Sequence, residues 1–489
     1  MADVVVVGSG PNGLAAAVTL AAAGLSVEVF EAQDTAGGGS RTAELTLPGF
    51  RHDVCAGAHP MAAASPFFRA FDLPAHGVEL LTPEASYAHP LDGGRGAVAW
   101  RDLERTVAGL GLDGKAWRRL FGPLVRDWPG VVDVAMGDLR GIPDDLGAAT
   151  RFGLRLLEQG SPLWNIRFRE DAAPALLSGV ATHAITSPRA LPAVGAGLLL
   201  GTLAHAEGWV IPRGGSQAIP DALIAELESL GGTVHTGHRV DSLDEFGGAR
   251  AILLDLAPAG LLRIAGDRLP QRYAKRLGKF RYGGAACKVD FALSGPVPWA
   301  AEGCDRAGTL HLVGSRAEAM AAEGAVASGR HADRPYVLAI QPGVVDPTRA
   351  PEGKHTFYTY AHVPNGSDID ISEVVIDQVE RFAPGFRDLI LAKNVCTAAE
   401  MPTHNANYVG GDISAGAMTL LQTAFRPAPR WNPYATPLPG VYLCSSATPP
   451  GPGVHGMCGL HAAHRVLRRE FDIHTEPLDL VRDSKIRSR

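Results

Sequence analysis

The 489-residue sequence carries no block of like charges, and its net charge is only −6. Nucleic-acid surfaces show clustered Lys and Arg, so no nucleic-acid partner is expected. The six cysteines, Cys55, Cys287, Cys304, Cys396, Cys444 and Cys458, contain no C-x-x-C pair and no Cys/His cluster at zinc-ligand spacing. No metal is expected; free thiols in a reducing cytoplasm are. The start, MADVVVVG, lacks the charged segment and cleavage site of a secretory signal. No apolar run is a convincing membrane span, which needs roughly 20 residues. The longest, residues 190–206, holds Pro192 and His205 and follows Arg189, which predicts a buried helix instead. Residues 112–128 put Trp117, Leu120, Phe121, Leu124 and Val125 on one helical face, with Lys115, Arg118, Arg119 and Arg126 among the rest. Such a helix either packs on its own core or lies on lipid, so peripheral membrane contact stays open. Nothing in the sequence reports an oligomeric state.

Glycine is what the chain has in excess: 58 residues, roughly 12% against a usual value near 7%. There is no collagen-like period and no long Gly/Ser tract, so the glycines belong to loops where backbone turns tightly or approaches something closely. The length exceeds what one hydrophobic core usually serves, which predicts two domains.

Val4 to Val7 are four β-branched residues in a row, the pattern of a parallel strand buried on both faces. Gly8, Ser9, Gly10, Pro11, Asn12 and Gly13 follow at G-x-G-x-x-G spacing, then a run of small apolar residues that predicts a helix, ended by Gly24. Residues 25–32 read as a second strand, with Glu31 at its end, 18 positions after Gly13, and Ala32 beyond it. Strand, spacing, helix and acid agree on a dinucleotide-binding turn. The glycines admit a pyrophosphate, the helix N-terminus stabilises its charge and Glu31 accepts from a ribose. A carboxylate there repels a 2′-phosphate, which excludes NADP and leaves NAD or FAD. A second glycine turn follows at Gly37, Gly38, Gly39, Ser40 and Arg41. Its backbone N–H groups can meet a diphosphate from the other side.

These stretches, with residues 209–243 and 405–463, resemble the phytoene dehydrogenase-like FAD oxidoreductases of the amine oxidase and carotenoid desaturase superfamily. The resemblance spans nearly the whole chain. It departs at Gly39, where many relatives have Arg. It implies an α/β fold: a Rossmann-like FAD-binding domain of the glutathione-reductase type, with a discontinuous α+β substrate domain roofing the flavin. The pieces would be 1–70, 207–265 and 395–472 for FAD, and 71–206 and 266–394 for the roof. Strands are predicted at 233–243, 288–295, 309–314, 336–343, 355–364 and 440–446, a helix at 371–386, and a C-terminal tail over 473–489 that is polar and frayed from Leu480. The implied cofactor is FAD. Val240 would contact its adenine side through the backbone. A late turn carrying Ala447, His455, Gly456 and Met457 would bring a helix N-terminus to the flavin, where it contributes roughly 0.3–2 kcal/mol to a nearby negative charge.

The expected reaction is removal of a hydride from carbon of an apolar small molecule to flavin N5, giving C=C or C=N. A flavin oxidase, a redox-neutral polyene isomerase and a non-catalytic prenyl-binding escort are the alternatives. His59 and His455 are the candidate acid–base residues, with Lys288 a possible substrate contact and Cys458 a packed thiol.

Overall fold

The structure, a computed structural model, describes residues 2–138 and 141–487. Val4–Val7 forms the middle of a five-stranded parallel sheet in the order Val441–Leu443, Ala251–Leu254, Val4–Val7, Val27–Phe30, Thr233–His235. Every pairing is parallel. Both faces are covered at Val4–Val7, Ala251–Leu254 and Val441–Leu443, which is why these strands are apolar without alternation. Val4, Val6, Val29 and Leu253 meet one apolar cluster, and Val5, Val7, Ile252 and Leu254 meet another on the opposite face. The helix Pro11–Ala22 packs against the helices Ala218–Ser229 and Met457–Glu470 on the first of these faces.

A second sheet has seven strands: Ile390–Cys396, Ala285–Leu293, His355–Val363, Val337–Ile340, Ala307–Leu312, Ala85–Leu91 and Arg95–Trp100. All its pairings are antiparallel except that of Ala307–Leu312 with Ala85–Leu91. Side chains alternate across it. Cys287, Val289 and Phe291 join a core under the helix Ser372–Phe382, while Leu338, Ile340, Tyr358 and Tyr360 belong to another cluster on the opposite face. The four strands predicted between 288 and 364 are all present. The two at Ala85–Leu91 and Arg95–Trp100 escape a periodicity reading because ASYAHPL is buried along its whole length yet half polar.

Three other expectations change. The strand predicted over 233–243 stops at His235, because beyond it the chain leaves the sheet edge, and Val240 lies in a loop. The tail is not frayed: Pro477–Arg487 is a helix, and Val481 is fully buried against the core that also holds Phe71 and Leu20. Its last two residues, 488–489, lie outside the described residues. The apolar face predicted over 112–128 belongs to the helix Gly114–Arg126, where Trp117, Leu120 and Phe121 are fully buried, so that face has no lipid left to meet.

The helix Leu191–Ala206 is mostly buried, as its apolar sequence predicts, and no described helix is long and apolar enough to cross a membrane. His205 is tolerated inside because both ring nitrogens are bonded: Nδ1–H donates to the Trp100 carbonyl at 2.7 Å, and Nε2 accepts from Trp117 Nε1 at 3.2 Å.

The helix pair at the nucleotide sheet is set by one small residue. A Cβ on Gly459 would lie 1.9 Å from the Asn12 carbonyl oxygen and 2.9 Å from Ala16 N. Gly459→Ala is therefore expected to destabilise by about 1–3 kcal/mol, overpacking outweighing the roughly 1 kcal/mol gained in helix propensity. A urea titration of the variant against the parent measures the loss.

Candidate cofactor and active site

The strand ends of the parallel sheet deliver the polar residues. Gly8 follows the strand Val4–Val7, Glu31 follows Val27–Phe30, Asp255 follows Ala251–Leu254, and Ser445 and Ser446 come just past Val441–Leu443. All of these line one cavity of about 820 Å³. Ligands of open α/β sheets bind outside these carboxyl ends.

At this end the two predicted glycine turns touch. Gly8 has φ +98° and Gly38 φ +55°, and a Cβ on Gly38 would stand 2.9 Å from Gly10 Cα. A Cβ on Gly13 would lie 2.2 Å from the Gly8 carbonyl oxygen, so the helix must start here without a side chain. Ser9 ties the turns together. Its N–H and hydroxyl both donate to Glu31 Oε2, at 3.0 and 2.6 Å, while its Oγ accepts from Gly37 N at 3.2 Å. Glu31 Oε1 accepts from Gln33 N at 2.9 Å, which fixes the carboxylate at the cavity wall.

Buried polar atoms without partners mark where a ligand belongs. Asn12 Oδ1, Ser40 Oγ and His59 Nδ1 are such atoms, and all three residues line the cavity. Two bare glycine turns, an acid at the next strand end and unpaired hydroxyl and amide oxygens fit an elongated dinucleotide. Pro11, Ala32, Gly39, Arg41, Val240 and His455 line the same cavity.

A family model for flavin containing amine oxidoreductase matches residues 12–467. The chain belongs to the flavin-containing amine oxidoreductase family. It is an FAD-dependent oxidoreductase. It is 27% identical to pyridine nucleotide-disulfide oxidoreductase domain-containing protein 2 of Rattus norvegicus, over 95% of this chain and 93% of the relative. It is 27% identical to the phytoene dehydrogenase of Streptomyces griseus, over 80% of this chain and 78% of that one. Its fold is similar to that of an oxidoreductase from Methanosarcina mazei, at TM-score 0.60 and 18% identity, covering 95% of this chain and 100% of the other.

Several predicted residues of this oxidoreductase turn out to be engaged elsewhere. Arg41 lines the cavity, but its Nε donates to the Gly38 carbonyl at 2.9 Å and its guanidinium also holds the His404 carbonyl. Gly39 is glycine because a Cβ there would lie 2.3 Å from the Tyr408 hydroxyl, so no side chain fits where many relatives carry Arg. Ala447, Gly456 and Met457 are not among the residues lining the cavity. The Met457 N–H, expected to face the flavin, donates instead to His455 Nδ1 at 3.0 Å. A Cβ on Gly456, at φ +71°, would strike the Phe67 ring at 2.6 Å.

The candidate acid–base residues are both neutral. His455 accepts at Nδ1 and donates Nε2–H to the Gly451 carbonyl at 3.1 Å; burial lowers its pKa to about 4. With both nitrogens bonded it caps the helix Met457–Glu470 and has none left for a substrate proton. Ser216 donates its hydroxyl to the Ala56 carbonyl at 2.6 Å, so the 2.7 Å contact with His59 Nε2 is an N–H donated by His59. That leaves His59 Nδ1 a bare lone pair, and burial lowers this imidazole too, to about 4. Lys288 is buried with Asp290 and over the Tyr358 ring at 4.4 Å, and it does not line the cavity. Cys458 is a buried thiol pushed up to about 12 by desolvation, in keeping with a packing role.

Asp255 is the site residue that sequence reasoning missed. Its signal is position: an acid directly after the buried run AILL. Oδ2 accepts from Gly13 N at 3.1 Å, and a Cβ on Gly10 would meet that oxygen at 2.4 Å. Burial, with Glu31 nearby adding repulsion, raises its pKa to about 7. A carboxyl that is neutral in the fold but ionised in the unfolded chain destabilises progressively from about pH 4 to pH 7 and fully above that. Asp255→Asn keeps the acceptor for Gly13 and removes the charge. Thermal melts are expected to show a higher melting temperature than the parent at pH 8, with the difference vanishing at pH 4.

Proposed function

We propose that this oxidoreductase dehydrogenates a neutral, largely apolar substrate, removing a hydride from one carbon and a proton from its neighbour to leave a carbon–carbon double bond. The observation that supports this reading is the wall of the cavity away from the glycine turns. Phe152 and Leu156 of the helix Leu146–Gln159, Leu199 and Leu200 of the helix Leu191–Ala206, and Met418 line it. Among the described residues, the only carboxylates lining the cavity are Glu31 and Asp255, at the nucleotide end. An ammonium ion buried against the apolar wall would have no counter-charge there, which disfavours an amine substrate. Bound FAD supplies the two-electron acceptor. The chain's own residues hold the substrate, exclude water and orient the C–H bond.

Exposed side chains beside the lining residues suggest how such a substrate arrives. Leu154 and Leu157 are 61% exposed on the helix whose Leu156 lines the cavity, and Leu421 is 73% exposed beside the lining residue Leu420. Large exposed apolar side chains next to cavity-lining residues offer a surface for contact with lipid. Flotation with phosphatidylcholine vesicles is expected for the parent and reduced several-fold for a Leu154→Glu/Leu421→Glu variant.

Anaerobic titration of the FAD-loaded protein tests the reaction. Polyene hydrocarbons are expected to bleach the flavin and primary amines to leave it oxidised; the reverse pattern would sink the reading. Recovery of colour in air would mark oxygen as an acceptor. Ala196→Phe, which fills the apolar part of the cavity, is expected to slow substrate bleaching at least tenfold at unchanged FAD content.

A further inference from the structure

His183 lies in the turn Thr182–Ala184 and is half-buried, and it lines the cavity. Its Nε2 stands 2.7 Å from Nε2 of His311, on the strand Ala307–Leu312. Parity puts His311 on the same face of the sheet as the cavity-lining Thr309. Around the pair, Trp209 sits edge-on to His183 at 5.4 Å and Tyr87 packs on His311 at 5.1 Å. Gly179 lets the neighbouring helix come close, since a Cβ there would be 2.9 Å from His311 Cβ.

Burial holds both imidazoles neutral, His183 at about 3 and His311 well below its ordinary value. Two neutral rings each carry one N–H, and only one of the two Nε2 atoms can donate in the bond they share. His311 Nδ1 is fully buried and has no partner. His89, whose Nε2–H donates to the Gly314 carbonyl at 2.6 Å, also has an unpartnered Nδ1, so neither ring reaches the other. Were His183 the donor, His311 would carry its proton on Nδ1, a buried N–H without an acceptor. Buried N–H groups without partners are rarer and costlier than bare acceptors. His311 is therefore the donor, and its Nδ1 is a lone pair. His183 accepts at Nε2 and carries its own proton on Nδ1, on a ring that lines the cavity.

We infer that His183 is a specificity-determining donor, its Nδ1–H binding a neutral oxygen, a carbonyl or ether, on an otherwise apolar substrate. His311 is the positioning residue that fixes the tautomer. The inference rests on the apolar-substrate reading above and adds to it one polar function at a defined place in the cavity. A hydrocarbon would fill the same cavity and leave this N–H unpaired.

The test uses the FAD-loaded full chain and difference spectra of the oxidised flavin on ligand binding. The probes are β-ionone, a cyclic apolar enone, and the corresponding hydrocarbon lacking the oxygen. The parent is expected to bind the enone at least tenfold more tightly. His183→Phe is expected to bring the two probes within twofold of each other at unchanged FAD content, and His183→Gln, which retains an N–H donor, to restore part of the preference. Equal binding of both probes by the parent, or a preference that survives in His183→Phe, overturns the role of His183 and leaves the apolar cavity standing. If neither probe binds the parent, both readings fall. Should His183→Phe lose FAD, His183→Gln and His311→Leu decide: unchanged preference in both would overturn the inference.

Discussion

Gly10 and Gly38 approach so closely that a methyl group on the second would sit 2.9 Å from the α-carbon of the first. That contact lets two separate turns form one cradle, with Ser9 bonded to Glu31 on one side and to the Gly37 amide on the other. Gly13, in the same turn, sets how near the helix Pro11–Ala22 comes to the sheet, and Gly459 sets how near the helix Met457–Glu470 comes to that helix. Backbone amides can act on an anion only when no side chain intervenes. The closeness of these glycines is what the nucleotide end of the cavity depends on.

The basic side chains that line the cavity at that end are Arg41, Arg239 and Arg263. Arg41 is held there by the main-chain carbonyls of Gly38 and His404. Beneath the turn, desolvation keeps Asp255 inclined to be neutral, so the floor is a hydrogen-bond acceptor for Gly13 without adding a full negative charge under a diphosphate. The two acids of the site thus differ in environment: Glu31 receives three donors, Asp255 sits in a drier place.

The far end follows a different logic. One face of the seven-stranded sheet and the helix Leu191–Ala206 enclose a largely apolar space. Burial holds His59, His183, His311 and His455 neutral, and the hydrogen bonds of each ring decide what it can do. His455 has both nitrogens engaged and serves the fold. His59 has one fixed and one bare. His183 is held from behind by His311. Sequence alone singled out His59 and His455 and passed over His183, because a histidine's role is set by which of its nitrogens remains unbonded.

The sequence by itself determined the nucleotide end. Four consecutive valines, the glycine spacing and an acid at the next strand end are local features, and backbone sterics allow them few other arrangements. The same local logic marked four strands of the second sheet and the buried helix around residue 198. Tertiary structure alone decided what lies opposite each of these residues. Tyr408 fills the place beside Gly39, and the ring of His455 takes the Met457 amide. The terminal helix packs Val481 into a core built from residues more than 400 positions earlier. Asp255 and His183 reach the cavity from strands and turns far apart in the chain. Such contacts leave no periodic trace, because they depend on the distance between elements and not on the order of residues within one.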